Sequence, residues 1–332
     1  MRFGGDIMRT ETTTFTGPFA KSIQKYLEEK QIMGNKIESY VYHLKSFDTF
    51  SNEYDIQFDF LTKDLINDWL RLHPNEKKSN QATRANTIRG FCKYMNLFDK
   101  KSYILPDGIY SCNTKYNAYI YSEKEICTFF KQLDYLSKNQ PNKQRKNFSN
   151  QIIFRLLYMC GMRISEVLNI RLCDFNQEEK IIVIKHAKKD KDRIIPINNE
   201  INNLIVNYIN TFHIFSDSND YLFKNKNNSP YTRFTIYERF RTILAQCNID
   251  HNENGPNLHS FRHTFAVHCL KKWVLEGKDL MVYLPVLKTF LGHDSFRETA
   301  YYLKLTSDVY PNITKMVETK FNNLIPRLEE IL

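Results

Sequence analysis

Apolar residues recur at three- and four-residue spacing along almost the whole chain. Ile23, Tyr26 and Leu27 form one such set, and Val41, Leu44, Phe47 and Phe50 form another. That spacing gathers side chains on one face of an α-helix, where they can be buried together. The pattern gives way once, at KIIVIKHAKKDKDRIIPI, to paired runs of β-branched residues around a lysine-rich turn. A chain patterned this way is confined to a mainly α architecture with one small antiparallel sheet.

Four segments between residues 16 and 98 carry the helical period: GPFAKSIQKYLEEKQI, NKIESYVYHLKSFDTFSN, TKDLINDWLRLH and NQATRANTIRGFCKYMNLF. They predict a small four-helix bundle. The 332 residues exceed one ordinary domain of about 100 to 200 residues, so two domains are expected. DKKSYILPDGIYSCNTKYNAYIYSEKE lacks a helical period and carries Pro106 and Gly108, which marks a connection with its boundary near residue 115. The expected division is a tail over 1–15, a helical domain over 16–100, a linker over 101–117 and a second domain over 118–332.

Ser122 followed by Glu125 has capping-box spacing, so SEKEICTFFKQLDYL opens the second domain as a helix. NQPNKQRKN then reads as a polar loop, SNQIIFRLLYMCG as an apolar helix ending near Gly161, and RISEVLNIRLCDF as a second short helical run. Beyond the hairpin, NEINNLIVNYINTF, YTRFTIYERFRTILAQC and SFRHTFAVHCLKKWVLEG are helical, and LPVLKTFLGHDSFRETAYYLKL supplies two more helices. In the tail, Ile313, Val317, Phe321, Leu324 and Leu328 share one helical stripe, kinked by Pro326.

A formal charge of +10 combined with 14% aromatic and 42% hydrophobic residues describes a folded basic protein and excludes a disordered basic tail. Such a surface meets a polyanion, nucleic acid first, because each Lys or Arg set on a phosphate releases a counterion; the alternative is a merely solvated surface. Lys21, Lys25, Lys36, Lys45, Lys77, Lys78, Arg84, Arg89 and Lys93 of the bundle face DNA or form its wet side. Seven cysteines without a C-x-x-C pair exclude a disulfide framework and a zinc knuckle, and point to a reducing compartment. Apolar runs fall short of the about 20 residues that span a bilayer. No export signal is visible, so a cytoplasmic, nucleoid-associated location is expected.

The second domain carries an ordered set of chemistry-bearing residues. GMRISEV holds Gly161, Arg163, Ser165 and Glu166; KHAKKDKDRIIPI holds Lys188; HSFRH holds His259 and Arg262; LGH ends at His293; and TAYYLKL holds Tyr301 and Tyr302. This set resembles the tyrosine recombinase, or phage integrase, family. G-x-R-x-S-E is matched letter for letter, H-x-L-R-H-T-F-A is matched except for Phe261 in place of leucine, and L-G-H is intact. The resemblance covers the whole second domain. It implies that the first is a SAM-like core-binding domain and the second a mainly helical catalytic domain.

In that family the nucleophilic tyrosine lies nine residues beyond the L-G-H histidine and three beyond a threonine, and both counts land on Tyr302, with Tyr301 the alternative. Lys188 falls on the catalytic lysine of G-K-G-x-K-x-R-x-x-P-L, although Ala187 and Lys189 replace both glycines; Lys185, Lys189 and Lys191 stay open as alternatives. The stretch KKWVLEGKDLMVYLP, between Arg262 and His293, is longer than in compact members.

The resemblance implies a metal-free and cofactor-free attack by Tyr302 on a DNA phosphodiester. Arg163 and Arg262 meet the non-bridging oxygens as planar two-point donors. Lys188 protonates the departing 5′ oxygen, His259 helps remove the tyrosine proton, His293 bonds a phosphate oxygen, and Glu166, three residues from Arg163, orients that arginine. His263 and His268 are assigned instead to helix capping and buried carbonyls. The implied partners are specific double-stranded DNA sites, a homotetramer on synapsed DNA and accessory bending or directionality proteins. The implied role is integration or excision of a mobile element. The rivals are a type IB topoisomerase-like enzyme, a DNA-binding protein that has kept the fold without cleavage, and an RNA- or ribosome-associated basic protein.

Overall fold

A computed structural model describes residues 14–54, 56, 58–110, 118–185, 192–252 and 255–310. The chain divides into two compact units, Met1–Lys115 and Tyr116–Leu332. Among the described residues no helix is long and apolar enough to cross a membrane.

The first unit is built from α1 (Ala20–Ile32), α2 (Glu38–Ser51), α3 (Lys63–Trp69) and α4 (Lys78–Met95), the four helices expected from the spacing. Ile23, Tyr26 and Leu27 of α1 pack with Leu44 and Phe47 of α2, Trp69 of α3, and Ile88 and Phe91 of α4. Thr62 caps α3 by accepting from the Leu65 amide. Two of the basic residues assigned to a surface lie elsewhere. Arg84 is buried against Glu76 at 2.7 Å and donates to the Trp69 and Arg71 carbonyls. Arg89 donates to the Leu105 and Pro106 carbonyls. A planar guanidinium is well suited to satisfying buried carbonyls, which an apolar/polar pattern does not register.

In the second unit α5 (Glu123–Asn139) opens with the Ser122–Glu125 capping box, as its spacing predicted. The expected polar loop is shorter than NQPNKQRKN: a 3-10 turn at Pro141–Lys143 leads straight into α6 (Gln144–Met159). The first turn of α6 is polar because it lies at the rim, while Ile152, Ile153, Phe154, Leu156 and Leu157 are buried in the core. Then come α7 (Ile164–Leu168), β1 (Phe175–Asn176), β2 (Ile181–Ile184), β3 (Arg193–Pro196), α8 (Asn199–Phe212), α9 (Arg233–Gln246), α10 (Ser260–Leu275), α11 (Leu280–Leu291) and α12 (Phe296–Val309). The strands form one antiparallel sheet in the order β1-β2-β3, with Ile182 opposite Ile195 and Ile184 opposite Arg193. The hairpin was expected; β1 was not, because two residues are too few to show a period.

α10 lies between two apolar clusters. Phe261 enters the larger one, its ring 5.1 Å from Phe129 and 5.0 Å from Tyr121. Ala266, Val267 and Leu270 enter a smaller one with Leu287, Leu291, Tyr302 and Leu305. Anchored on both sides, the N-terminal end of α10 has a fixed direction. The striped tail beyond residue 310 lies outside the described residues.

Candidate active site

The site is organised around the end of α11. Gly292 stops that helix with φ +63°, a left-handed conformation natural to glycine, and His293 N then donates back to the Lys288 carbonyl at 3.0 Å. A helix end leaves its last carbonyls without partners inside the helix. Three arginines from distant segments bond three successive ones. Arg193 Nε donates to Phe290 O at 3.1 Å, Arg262 Nη2 to Leu291 O at 2.7 Å, and Arg163 Nη2 to Gly292 O at 3.2 Å. The negative end of the helix dipole favours the same cations.

Arg163 precedes α7 in extended conformation, and Glu166 lies one turn on, its carboxylate accepting from the Arg163 backbone N at 2.7 Å and from Nη1 at 2.9 Å. Glu166 also takes a two-point pair from Arg193, Nη1 to Oε1 at 2.9 Å and Nη2 to Oε2 at 2.8 Å. Burial works to raise the Glu166 pKa, but the bonds from Arg193 and Arg163 outweigh it and hold the carboxyl at about 2. It is therefore anionic at neutral pH.

His259 and Arg262 stand at the start of α10. Arg262 is 1% exposed and spends one N–H on Gly161 O at 2.7 Å in addition to its bond to Leu291. Burial and the neighbouring Arg163 lower it to about 10, still cationic at neutral pH. Gly161 also has φ +56°, and a Cβ there would lie 2.5 Å from Phe265 Cδ1 and 2.9 Å from Leu291 Cδ2; with its carbonyl on Arg262, the G-x-R motif glycine serves that arginine as well as Arg163.

Tyr302 comes from α12, with its ring stacked on His293 at 5.8 Å and 12°. Burial raises its pKa; the charge of Arg262 and a side-chain bond from it act in the opposite direction. One turn earlier on the same helix, the fully buried Thr299 pairs its Oγ1 with His293 Nδ1 at 2.9 Å. Burial, reinforced by nearby arginines and imidazoles, holds His259 at about 4 and His263 and His293 at about 3, so all three are neutral at pH 7.

Arg163, His259, Arg262, His263, His293, Glu298, Tyr301 and Tyr302 line one cleft of about 400 Å³. Glu166 sits behind it on Arg163. Lys188, Lys189 and Lys191 lie outside the described residues. Lys185 is paired with Asp174 at 2.6 Å and does not line the cleft. His268 bonds the Tyr158 hydroxyl at 3.0 Å, away from the cleft. His263, set aside with it as a structural histidine, is instead a cleft residue, its ring 4.4 Å from His259 and 5.5 Å from Tyr302. His263 lies four positions after His259, one helical turn, and that spacing was the available signal.

Arg193 and Thr299 were also missed as site residues. Arg193 is in phase with buried Ile195 on β3, an alternation that places a charge on the inner face of the sheet. Thr299 is one helical turn from Tyr302. Among the described residues no group of three His, Cys, Asp or Glu side chains is placed to hold a metal ion. The cleft brings guanidiniums, neutral imidazoles and a phenol together, a set that can receive a tetrahedral anion and attack it.

The model of the phage integrase family matches residues 124–308. The chain belongs to the phage integrase family. It is a tyrosine-type site-specific recombinase, similar to tyrosine recombinase XerD of Staphylococcus saprophyticus (27% identical over 318 residues, 92% of this chain and 98% of that one) and to a tyrosine recombinase of Pseudothermotoga lettingae (26% over 295 residues, 87% and 94%). Solved structures share the recombinase fold. The pre-cleavage complex of XerH site-specific recombinase bound to difH substrate has TM-score 0.63 and 21% identity, covering 85% of this chain and 81% of that one. A lambda integrase dimer bound to a COC′ core site has TM-score 0.60 and 12% identity, covering 85% and 76%.

Proposed function

We propose that this recombinase cuts and rejoins double-stranded DNA at specific sites through a 3′-phosphotyrosyl intermediate on Tyr302. The observation that carries this reading is the Tyr302 phenol, buried beside Arg262 in the cleft that Arg163, His259 and His293 also line. The Tyr302 oxygen attacks phosphorus, the bond from phosphorus to the 5′ oxygen breaks, and the strand leaves as a 5′-hydroxyl. His259, neutral at pH 7, accepts the phenolic proton, and Lys188 donates one to the departing oxygen. Arg163 and Arg262 bind the charge growing on the non-bridging oxygens; removal of either costs about 3 kcal/mol or more of barrier, as for other preorganised donors. His293, with Nδ1 engaged by Thr299, turns Nε2 to a phosphate oxygen. The ester conserves the bond energy, so the 5′-hydroxyl of another strand reseals it.

Duplex DNA is the partner of this reading, supported by the basic charge of +10 and by the DNA in the XerH and lambda integrase complexes. The first unit acts as the core-binding domain, and a homotetramer on synapsed sites, assisted by accessory proteins, exchanges strands. The role is integration or excision of a mobile element, which rests on the long segment between Arg262 and His293.

The test uses nicked suicide duplexes made from DNA flanking the protein's own gene, with a denaturing gel for the adduct and mass spectrometry for the modified residue. An adduct on Tyr302 is expected. Specific binding with no adduct would sink the catalytic reading.

A further inference from the structure

We propose that Arg193 is a positioning residue of this site: by clamping Glu166 and the end of α11 together, it sets where Arg163 and His293 meet the reacting phosphate. The inference rests on the phosphotyrosyl reading of the cleft and deepens it.

Arg193 does not line the cleft, so it acts through others. Its side chain is 9% exposed and faces a carboxylate 7% exposed. An isolated buried guanidinium is costly, and this one is retained with its charge matched and three of its five N–H groups accounted for. Two go to Glu166 and one to the Phe290 carbonyl. The Glu166 carboxylate is shared evenly. Oε1 accepts from Arg193 Nη1 and Arg163 Nη1, while Oε2 accepts from Arg193 Nη2 and the Arg163 backbone N. The charges thus alternate Arg163, Glu166, Arg193; without the third member the carboxylate keeps its two bonds to Arg163 but the Arg163–Glu166 pair loses its two-point tie to β3 and, through the same guanidinium, to the Phe290 carbonyl.

The second arm of the clamp reaches the histidine. Phe290, whose carbonyl Arg193 holds, lies three residues before His293. A Cβ built on Gly292 would lie 2.9 Å from Arg193 Nη1 and 3.1 Å from its Cζ, so the guanidinium is pressed against the backbone immediately before that histidine. Arg193 therefore fixes the spacing between Arg163 and His293, which belong to segments about 130 positions apart that no regular element joins.

The test compares wild type, R193Q and R193K on a nicked duplex that traps the wild-type chain, with the scissile group either an ordinary phosphate or a methylphosphonate. The methyl group removes the negative charge that Arg163 neutralises. On phosphate, R193Q is expected to form adduct roughly 10- to 100-fold more slowly than wild type, as when other orienting partners are lost. That gap should shrink several-fold on methylphosphonate, with DNA affinity nearly unchanged. R193K is expected to stay closer to R193Q than to wild type, because an ammonium cannot span both carboxylate oxygens. Should R193Q fail to fold in a circular dichroism melt, R193K carries the same comparison. Equal slowing on both substrates, or a wild-type rate for R193K, would overturn the inference. No adduct from the wild-type chain on either duplex would instead bring down the reading of the cleft on which it rests.

Discussion

Arg262 donates to the carbonyl of Leu291 at 2.7 Å, so the arginine at the start of α10 is held by the end of α11. With its other terminal nitrogen on Gly161 O, the guanidinium is fixed between two motif segments that lie 101 and 29 positions away in sequence.

Tyr302→Phe should abolish the covalent adduct, with a rate loss of roughly 10⁴-fold or more, as removal of a nucleophile gives elsewhere. Tyr301→Phe should still form it, because the Tyr301 ring lies 6.0 Å from that of Tyr302 without the stacking on His293 that Tyr302 has. Denaturing gels with mass spectrometry decide between them, and an adduct retained by Tyr302→Phe would move the nucleophile.

Thr299→Val keeps the volume of the buried side chain but removes the partner of His293 Nδ1. The ring then loses the bond that fixes its tautomer and orientation. Adduct formation should slow by roughly tenfold or more while Thr299→Ser stays near wild type. Equal rates for Val and Ser would show that the hydroxyl is dispensable.

Gly161→Ala introduces a Cβ 2.5 Å from Phe265 Cδ1 and 2.9 Å from Leu291 Cδ2, at a φ of +56°. The left-handed backbone and the overpacking together should cost about 2 to 5 kcal/mol. A urea unfolding series reads this directly as a lowered midpoint, and an unchanged midpoint would contradict the packing described.

The free protein should lose stability in mild acid. His259, His263 and His293 take up protons near 4, 3 and 3 when folded, against an ordinary value of 6.5. Between those values the unfolded chain binds more protons than the folded one, so stability falls as pH drops from about 6.5 towards 4. The melting temperature at pH 7, 6 and 5 should decline, and His263→Gln should flatten the decline. A profile for the parent protein that is level across this range would mean the imidazoles are not buried neutral.

The parts of this architecture that were legible in sequence are those written locally. Helical spacing located α1 to α4, the Ser122–Glu125 spacing located the start of α5, and motif letters located Arg163, Glu166, His259, Arg262, His293 and Tyr302, which the structure places within or directly behind one cleft. What escaped is written across distance. Arg193 meets Glu166 over 27 positions, and Arg163 meets Gly292 over 129, so neither contact leaves a trace in any short window. Arg84 was misplaced for the same reason: a helix pattern ranks a guanidinium as polar and does not reveal that Glu76 and two carbonyls receive it inside the bundle.

The row of carbonyls at the end of α11 has a thermodynamic consequence. Side chains as long as arginine ordinarily surrender about 2 kcal/mol of rotational freedom when they are immobilised. Arg262 and, to a large extent, Arg163 have already surrendered it to backbone carbonyls, so in the proposed reaction a phosphate would meet donors with little motion left to lose. The entropy of assembling the anion site is charged to folding and not to encounter. Substitutions that soften the fold far from the cleft should therefore slow the chemistry before they weaken the grip on the duplex.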